Sequence, residues 1–272
     1  MGTRMRSSLH IGTLAIVVVA AICPPASAQT PSGDADLAQQ LANPVADLIS
    51  VPFQFNYDEK FGPKDASRYT LNVQPVIPVN LGERWNLISR TIVPLIQQDS
   101  PAPTVDSAFG LGDAVQSFFL SPTERFGGWI LGAGPVLLVP TGTSPELRRE
   151  QLGLGPTVVA LQQVSGWTFG ALANHLWNLT DPHENKRVNA TFVQPFLAYT
   201  FPTATTLTIN AESTYDWTDD DLTLPFNFAA SQLVKLGGLP VSFQLGARYY
   251  AQAPSRGPEW GARFAAVLLL PK

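Results

Sequence analysis

From Val51 to Lys272 the chain repeats stretches of about ten residues in which apolar and polar side chains alternate, separated by polar breaks carrying Pro or Gly. Strict period-two alternation marks a strand whose two faces meet different surroundings. About twelve such strands in succession predict an antiparallel sheet that closes on itself. The apolar row is rich in Leu, Val, Phe and Trp, a better match to lipid than to a small protein core. In the mature part no apolar run reaches the roughly 18 residues of a spanning helix. A membrane protein built from it therefore has to be a closed barrel, since only helices and barrels satisfy every backbone group in lipid.

The first 28 residues read as a signal peptide: Arg4 and Arg6, an apolar core from Ile11 to Ile22, and Ala26-Ser27-Ala28 as the small-x-small cleavage pattern. Lipoprotein processing at Cys23 is disfavoured by the bulky Ile22 before it. Cleavage removes the one cysteine, so no disulfide or thiol chemistry is expected. It leaves 15 basic against 21 acidic residues, a formal charge of −6. That balance argues against nucleic acid as a partner, because no basic stripe is available to neutralise phosphates.

Residues 29–50 precede the barrel. Gln29 to Asp36 reads as a polar leader, and Leu37, Leu41, Val45, Leu48 and Ile49 recur at helical spacing, interrupted by Pro44. A periplasmic cap against the barrel mouth is the plainer reading; a partner-binding segment is the other. Residues 51–272 form the predicted barrel, with strands near 51–57, 68–79, 85–97, 111–120, 128–140, 151–163, 167–179, 188–200, 205–217, 222–234, 240–252 and 259–270. Breaks after odd-numbered strands are mostly longer and more polar than those after even-numbered ones, the asymmetry of external loops and periplasmic turns. All six tryptophans (85, 129, 167, 177, 217 and 260) fall near predicted strand ends, where interfacial girdles belong. Prolines 75, 78, 94, 135, 156, 195 and 225 fall inside predicted strands and call for bulges.

Parity assigns the faces. In the ninth strand Leu207, Ile209, Ala211 and Tyr215 alternate with Thr206, Thr208, Asn210, Glu212, Thr214 and Asp216. The polar row across the strands supplies Asn72, Gln74, Arg90, Glu212, Asp216, Arg248 and Arg263 as lumen candidates. Two readings stay open: a charged constriction that selects what passes, or an ion-pair network filling a narrow bore.

Catalysis finds little footing. His175 shares parity with Trp167 and Trp177 and is expected on the outer face, without a serine on the same face of its strand. His183 with Asp181 and Glu184 reads as a solvated loop rather than a metal site. The Gly112-Asp113 and Gly153/Gly155 clusters resemble no phosphate loop. No catalytic residue, cofactor or metal is expected.

At these residues the chain resembles the bacterial outer-membrane barrels grouped as the putative meta-pathway phenol-degradation family, labelled "transporter". The matching stretches run from Leu41-Ala42-Asn43-Pro44 through Gly110-Leu111-Gly112-Asp113, Gly132-Ala133-Gly134-Pro135, Gly153-Leu154-Gly155-Pro156 and Gly170 to His175. They are strongest at Glu212 to Trp217, Gly246 to Tyr250, and Gly257 through Lys272. The resemblance implies a barrel in the outer membrane of a Gram-negative bacterium that passes small hydrophobic or aromatic solutes. Its implied partners are outer-membrane lipid, the solute and the assembly machinery. That machinery usually reads a C-terminal aromatic residue, whereas this chain ends Leu270-Pro271-Lys272. The alternatives are a structural or ligand-binding barrel without transport and, more remotely, a lipid hydrolase. The solute and the oligomeric state are not legible in the residues.

Overall fold

The computed structural model describes residues 32–179, 187–254 and 257–271. One helix, α1 (Ser32–Leu41), precedes twelve antiparallel strands. These are β1 (Ile49–Phe61), β2 (Ala66–Val73 continuing as Val76–Asn80), β3 (Trp85–Gln98) and β4 (Ala108–Leu111 continuing as Ala114–Pro122). Then come β5 (Trp129–Val139), β6 (Gly153–Val164), β7 (Trp167–Asn178), β8 (Asn189–Thr200), β9 (Thr205–Ala211 continuing as Ser213–Asp216), β10 (Asp221–Leu236), β11 (Leu239–Gln252) and β12 (Trp260–Leu270). Each strand pairs with the next, and β12 pairs with β1 from Ile49↔Leu270 to Glu59↔Trp260. The sheet is a closed barrel without an edge, as the alternation requires.

The three interrupted strands show how the chain absorbs its prolines. Pro75 splits β2, yet Gln74 N donates to Pro52 O at 2.9 Å and Thr91 N to Pro75 O at 3.1 Å across the gap. Pro225, which has no N–H, stands opposite Glu212 and interrupts β9, while Glu212 N still donates to Pro225 O at 3.0 Å. Gly112-Asp113 interrupts β4, and the Asp113 carboxylate accepts from Gly142 N at 3.0 Å and Arg149 N at 2.7 Å, fastening the β5–β6 loop. Pro135 and Pro156 face one another across β5 and β6.

Alternation holds on β1, β9, β11 and β12. Phe53, Phe55, Leu207, Ile209, Phe243, Leu245, Tyr249 and Phe264 are all exposed on the outside. A continuous aliphatic and aromatic surface of this extent belongs against lipid. The six tryptophans are exposed and sort into two rings. Trp85, Trp129 and Trp167 open strands at the short-turn end, and Trp177, Trp217 and Trp260 lie at the long-loop end. The tight turns place Gly82, Gly127, Gly128, Gly166, Gly237 and Gly238 at positive φ, where a side chain is strained.

Two expectations are corrected. The helix lies earlier than its periodicity suggested, at Ser32–Leu41, so the supposed polar leader supplies its first turns and Ile49 already belongs to β1. The first strand continues to Phe61 instead of ending at Tyr57, because Asp58 points into the lumen, where a charge has partners. Residues 1–28, assigned to the signal peptide, lie outside the described residues.

Close approach of β6 and β7 depends on missing side chains on both strands, Gly155 and Gly170, each of whose Cβ would meet a carbonyl oxygen of the other strand. A Cβ at Gly155 would run into the carbonyl oxygen of His175. Gly155→Ala should lower barrel stability by about 1–3 kcal/mol through overpacking, read by urea unfolding in lipid vesicles. Gly82→Ala is the control for positive φ alone, since a Cβ there meets nothing within 4 Å.

Candidate functional site

The lumen has two unlike walls. On β9, β11, β12 and β1 it is charged. Arg263 on β12 grips Glu212 on β9 bidentately, at 2.9 Å from each Nη to its own Oε, and donates from Nε to Asn56 Oδ1 at 2.8 Å. Arg248 on β11 lies 3.5 Å from Glu212 and 3.3 Å from Asp58 on β1. Asp58 also accepts from the Tyr250 hydroxyl at 2.8 Å, and the Arg248 guanidinium sits 5.4 Å from the Tyr250 ring centroid. Arg263 is only 6% exposed and Asp58 7%. Such burial is tolerable because each carboxylate meets at least one guanidinium. Within this cluster Arg248 Nε has no hydrogen-bond partner among the described residues.

Farther round, the polar row continues on neutral partners. Arg90 on β3 donates to Gln74 Oε1 at 3.1 Å. Arg68 on β2 donates from Nε to Gln98 Oε1 at 2.8 Å and lies 4.2 Å from the Phe61 ring centroid. Asn72 occupies the same face, opposite Gln54. The belt therefore carries four arginines, 68, 90, 248 and 263, against two carboxylates, 58 and 212, among the described residues.

The opposite wall is apolar. Ile88, Phe119, Val159, Leu161 and Leu172, from β3 to β7, form a buried cluster that Phe192 and Phe196 of β8 extend. Val45 joins that cluster from inside the bore. The segment after α1 thus enters the turn-end mouth of the barrel instead of lying flat across it. Asn43 Oδ1 accepts from Val45 N at 2.9 Å and fixes the turn that carries Val45 inward. Helix α1 seats Ala38 against Ala204, Leu233 and Leu269, with Leu37, Leu41 and Leu48 packed around them. Polar ties hold the entry: Lys235 Nζ is 2.6 Å from Asp34, and Gln163 Nε2 donates to Gln39 O at 2.6 Å. Between this plug and the belt lies a cavity of about 260 Å³ with a mixed lining: the polar Gln54, Gln74, Arg90 and Asn210 alternate with the apolar Leu41, Leu48, Val76 and Phe196, Val76 standing directly beside Arg90 and Phe196 beside Asn210.

Of the residues proposed from parity, Glu212, Arg248 and Arg263 meet in one cluster, while Arg90 and Gln74 form a second, cavity-lining pair. Asp216 stands apart, 3.3 Å from the half-exposed Arg149 of the β5–β6 loop near the outer mouth. Asn56, Asp58, Arg68 and Tyr250 complete the polar wall. Asp58 was missed because Asp58-Glu59-Lys60 has the composition of a loop, although its parity with Gln54 and Asn56 was available.

His175 lies on the outer face, with Nδ1 2.7 Å from Thr191 Oγ1 and its ring against Trp177. His183, Asp181 and Glu184 fall outside the described residues. Among the described residues no group of three or more His, Cys, Asp or Glu is arranged to hold a metal ion, and no helix is long and apolar enough to cross a membrane.

The sequence matches no protein-family profile and no curated protein. Its fold is similar to that of an outer-membrane channel from Pseudomonas putida F1, with a TM-score of 0.66 at 15% identity, over 83% of this chain and 97% of that one. It is also similar to outer-membrane phospholipase A from Escherichia coli, with a TM-score of 0.47 at 12% identity, over 81% and 92%. At these identities the likeness concerns the fold: this chain is a closed twelve-stranded barrel of the outer-membrane kind.

Proposed function

We propose that this barrel sits in a bacterial outer membrane and passes small, largely hydrophobic or aromatic solutes through a narrow lumen gated by its own N-terminal segment. The observation that carries the reading is the chamber of about 260 Å³ inside the bore, lined by the plug, by polar side chains that include Arg90, and by Val76 and Phe196 of the wall. A bore meant only to be filled has no need of an open chamber lined by both polar and apolar side chains. The fold likeness to an outer-membrane channel agrees with it, as does the resemblance of the sequence to the phenol-degradation barrels. No catalytic role is assigned: the outward His175 has Thr191 and Trp177 beside it, not a serine.

A second reading has its own support. The network joining β1, β9, β11 and β12 stiffens the wall, as a structural or surface-binding barrel requires. Liposome swelling separates the two. Vesicles carrying the full chain should admit ring-sized neutral and charged solutes and exclude disaccharides, since the cavity lies just below the roughly 300–1,000 Å³ of ordinary small-molecule sites. Permeability to no solute class, with the plug present or deleted, refutes transport.

A further inference from the structure

Arg90 lines the chamber, yet its side-chain hydrogen bond goes to an amide, not a carboxylate: Gln74 Oε1 at 3.1 Å. Glu212, the carboxylate whose field reaches it, is engaged bidentately by Arg263 and approached by Arg248. Asp58 is taken by Arg248 and Tyr250. A guanidinium has five donors and no acceptor, and inside a protein it calls for an anion. The belt's excess of two positive charges contrasts with the negative formal charge of the chain as a whole. The local surplus is thus a property of the lumen and not of overall composition.

The rest of the chamber says what body that anion would have. Arg90 shares the chamber with Leu41, Leu48, Val76 and Phe196, which offer no hydrogen bond from their side chains, and Val76 stands directly beside it on the neighbouring strand. Gln54, Asn210 and Gln244 add neutral amides to the lining. The volume of about 260 Å³ suits one ring or a short chain.

We propose that the chamber is a binding site for small amphipathic monoanions, a carboxylate or phenolate on an apolar body, with the charged group on Arg90 and the body against the plug and Phe196. This rests on the channel reading for its biological meaning, but the binding itself does not. A solute seated there touches Leu41 and Leu48, so it contacts both the selecting cation and the segment that closes the exit.

The test uses the full chain in detergent and 4-fluorobenzoate as the probe, with 4-fluorobenzamide as its uncharged counterpart, both followed by fluorine NMR. The benzoate should bind the unaltered protein, and Arg90→Gln should weaken it about tenfold or more while leaving the benzamide unchanged. Arg90→Lys should recover part of the loss, because it keeps the charge and gives up the fork. Phe196→Ala should weaken both probes together. Retention of the native barrel by each variant is read from its resistance to unfolding in SDS without heating. Equal binding of benzoate and benzamide, or benzoate affinity untouched by Arg90→Gln, overturns the proposal. Proteoliposome uptake of the same pair separates it from the channel reading. Arg90-dependent binding without uptake leaves the site standing and removes transport. Uptake without benzoate preference does the reverse, and failure of both readouts ends both.

Discussion

Deleting residues 32–48 should convert a pore that is mostly shut into one that stays open. In planar bilayers the time-averaged conductance is expected to rise by about two orders of magnitude. The estimate follows from what holds the segment in place. Leu37, Leu41, Val45 and Leu48 each leave water partly or wholly when they pack into the mouth, at about 1–2 kcal/mol apiece. Ordering the segment offsets part of this. A net closing free energy of about 3 kcal/mol leaves an open fraction on the order of 10⁻². The barrel itself should survive, because its strand pairing closes without the segment. Val45→Asp makes the same point without a deletion. It sets a carboxylate against Ile88, Phe119 and Leu161, which should expel the segment and open the pore. Unchanged conductance in both variants would show that the segment is not the gate.

Replacing Glu212 by Gln should be the most damaging single substitution in the wall. It strips the bidentate partner from Arg263 and one of two carboxylates from Arg248, leaving a buried cation with only Asn56 beside it. Breaking such a cluster on one side costs about 3–5 kcal/mol, which should appear as a lower urea midpoint for unfolding from vesicles with an unchanged slope. The double variant Glu212→Gln with Arg263→Gln should lose less than the sum of the single losses, since each then removes a partner the other no longer needs. Strict additivity would mean that the two side chains do not act as a pair. Conductance in the single variant should also change its ion preference, because the belt then carries one more unbalanced positive charge.

Much of the barrel was legible because its two faces differ where lumen meets lipid. Phe53, Phe55 and Tyr57 against Gln54 and Asn56, or Leu207 and Ile209 against Thr208 and Asn210, have only one solution on a strand. Glu212, Arg248 and Arg263 followed from the same parity. The apolar wall was not legible, for an equally physical reason. In Leu87-Ile88, Phe118-Phe119 and Val158-Val159 both neighbours are apolar, one turned to lipid and the next to the plug. Burial on both sides erases the alternation, as it does in sheets covered on two faces. Those strands could be placed by their breaks but not read for their inner surface. The plug was half legible: Leu37, Leu41, Val45 and Leu48 were recognised as one apolar set. Their spacing cannot say that Asn43 turns the chain and sends Val45 into the bore.

The seam between the first and last strands carries a consequence for how the molecule comes into being. Eleven facing residue pairs join Ile49–Glu59 to Trp260–Leu270, and those partners lie at opposite ends of the sequence. Until the final strand pairs with the first, the unclosed sheet has two bare margins, neither of which the bilayer can satisfy. Biogenesis must therefore shelter both margins at once and let go only after the last zipper is drawn. Losing that single strand should leave the remaining eleven as unfinished cargo, fit for degradation and not for the membrane.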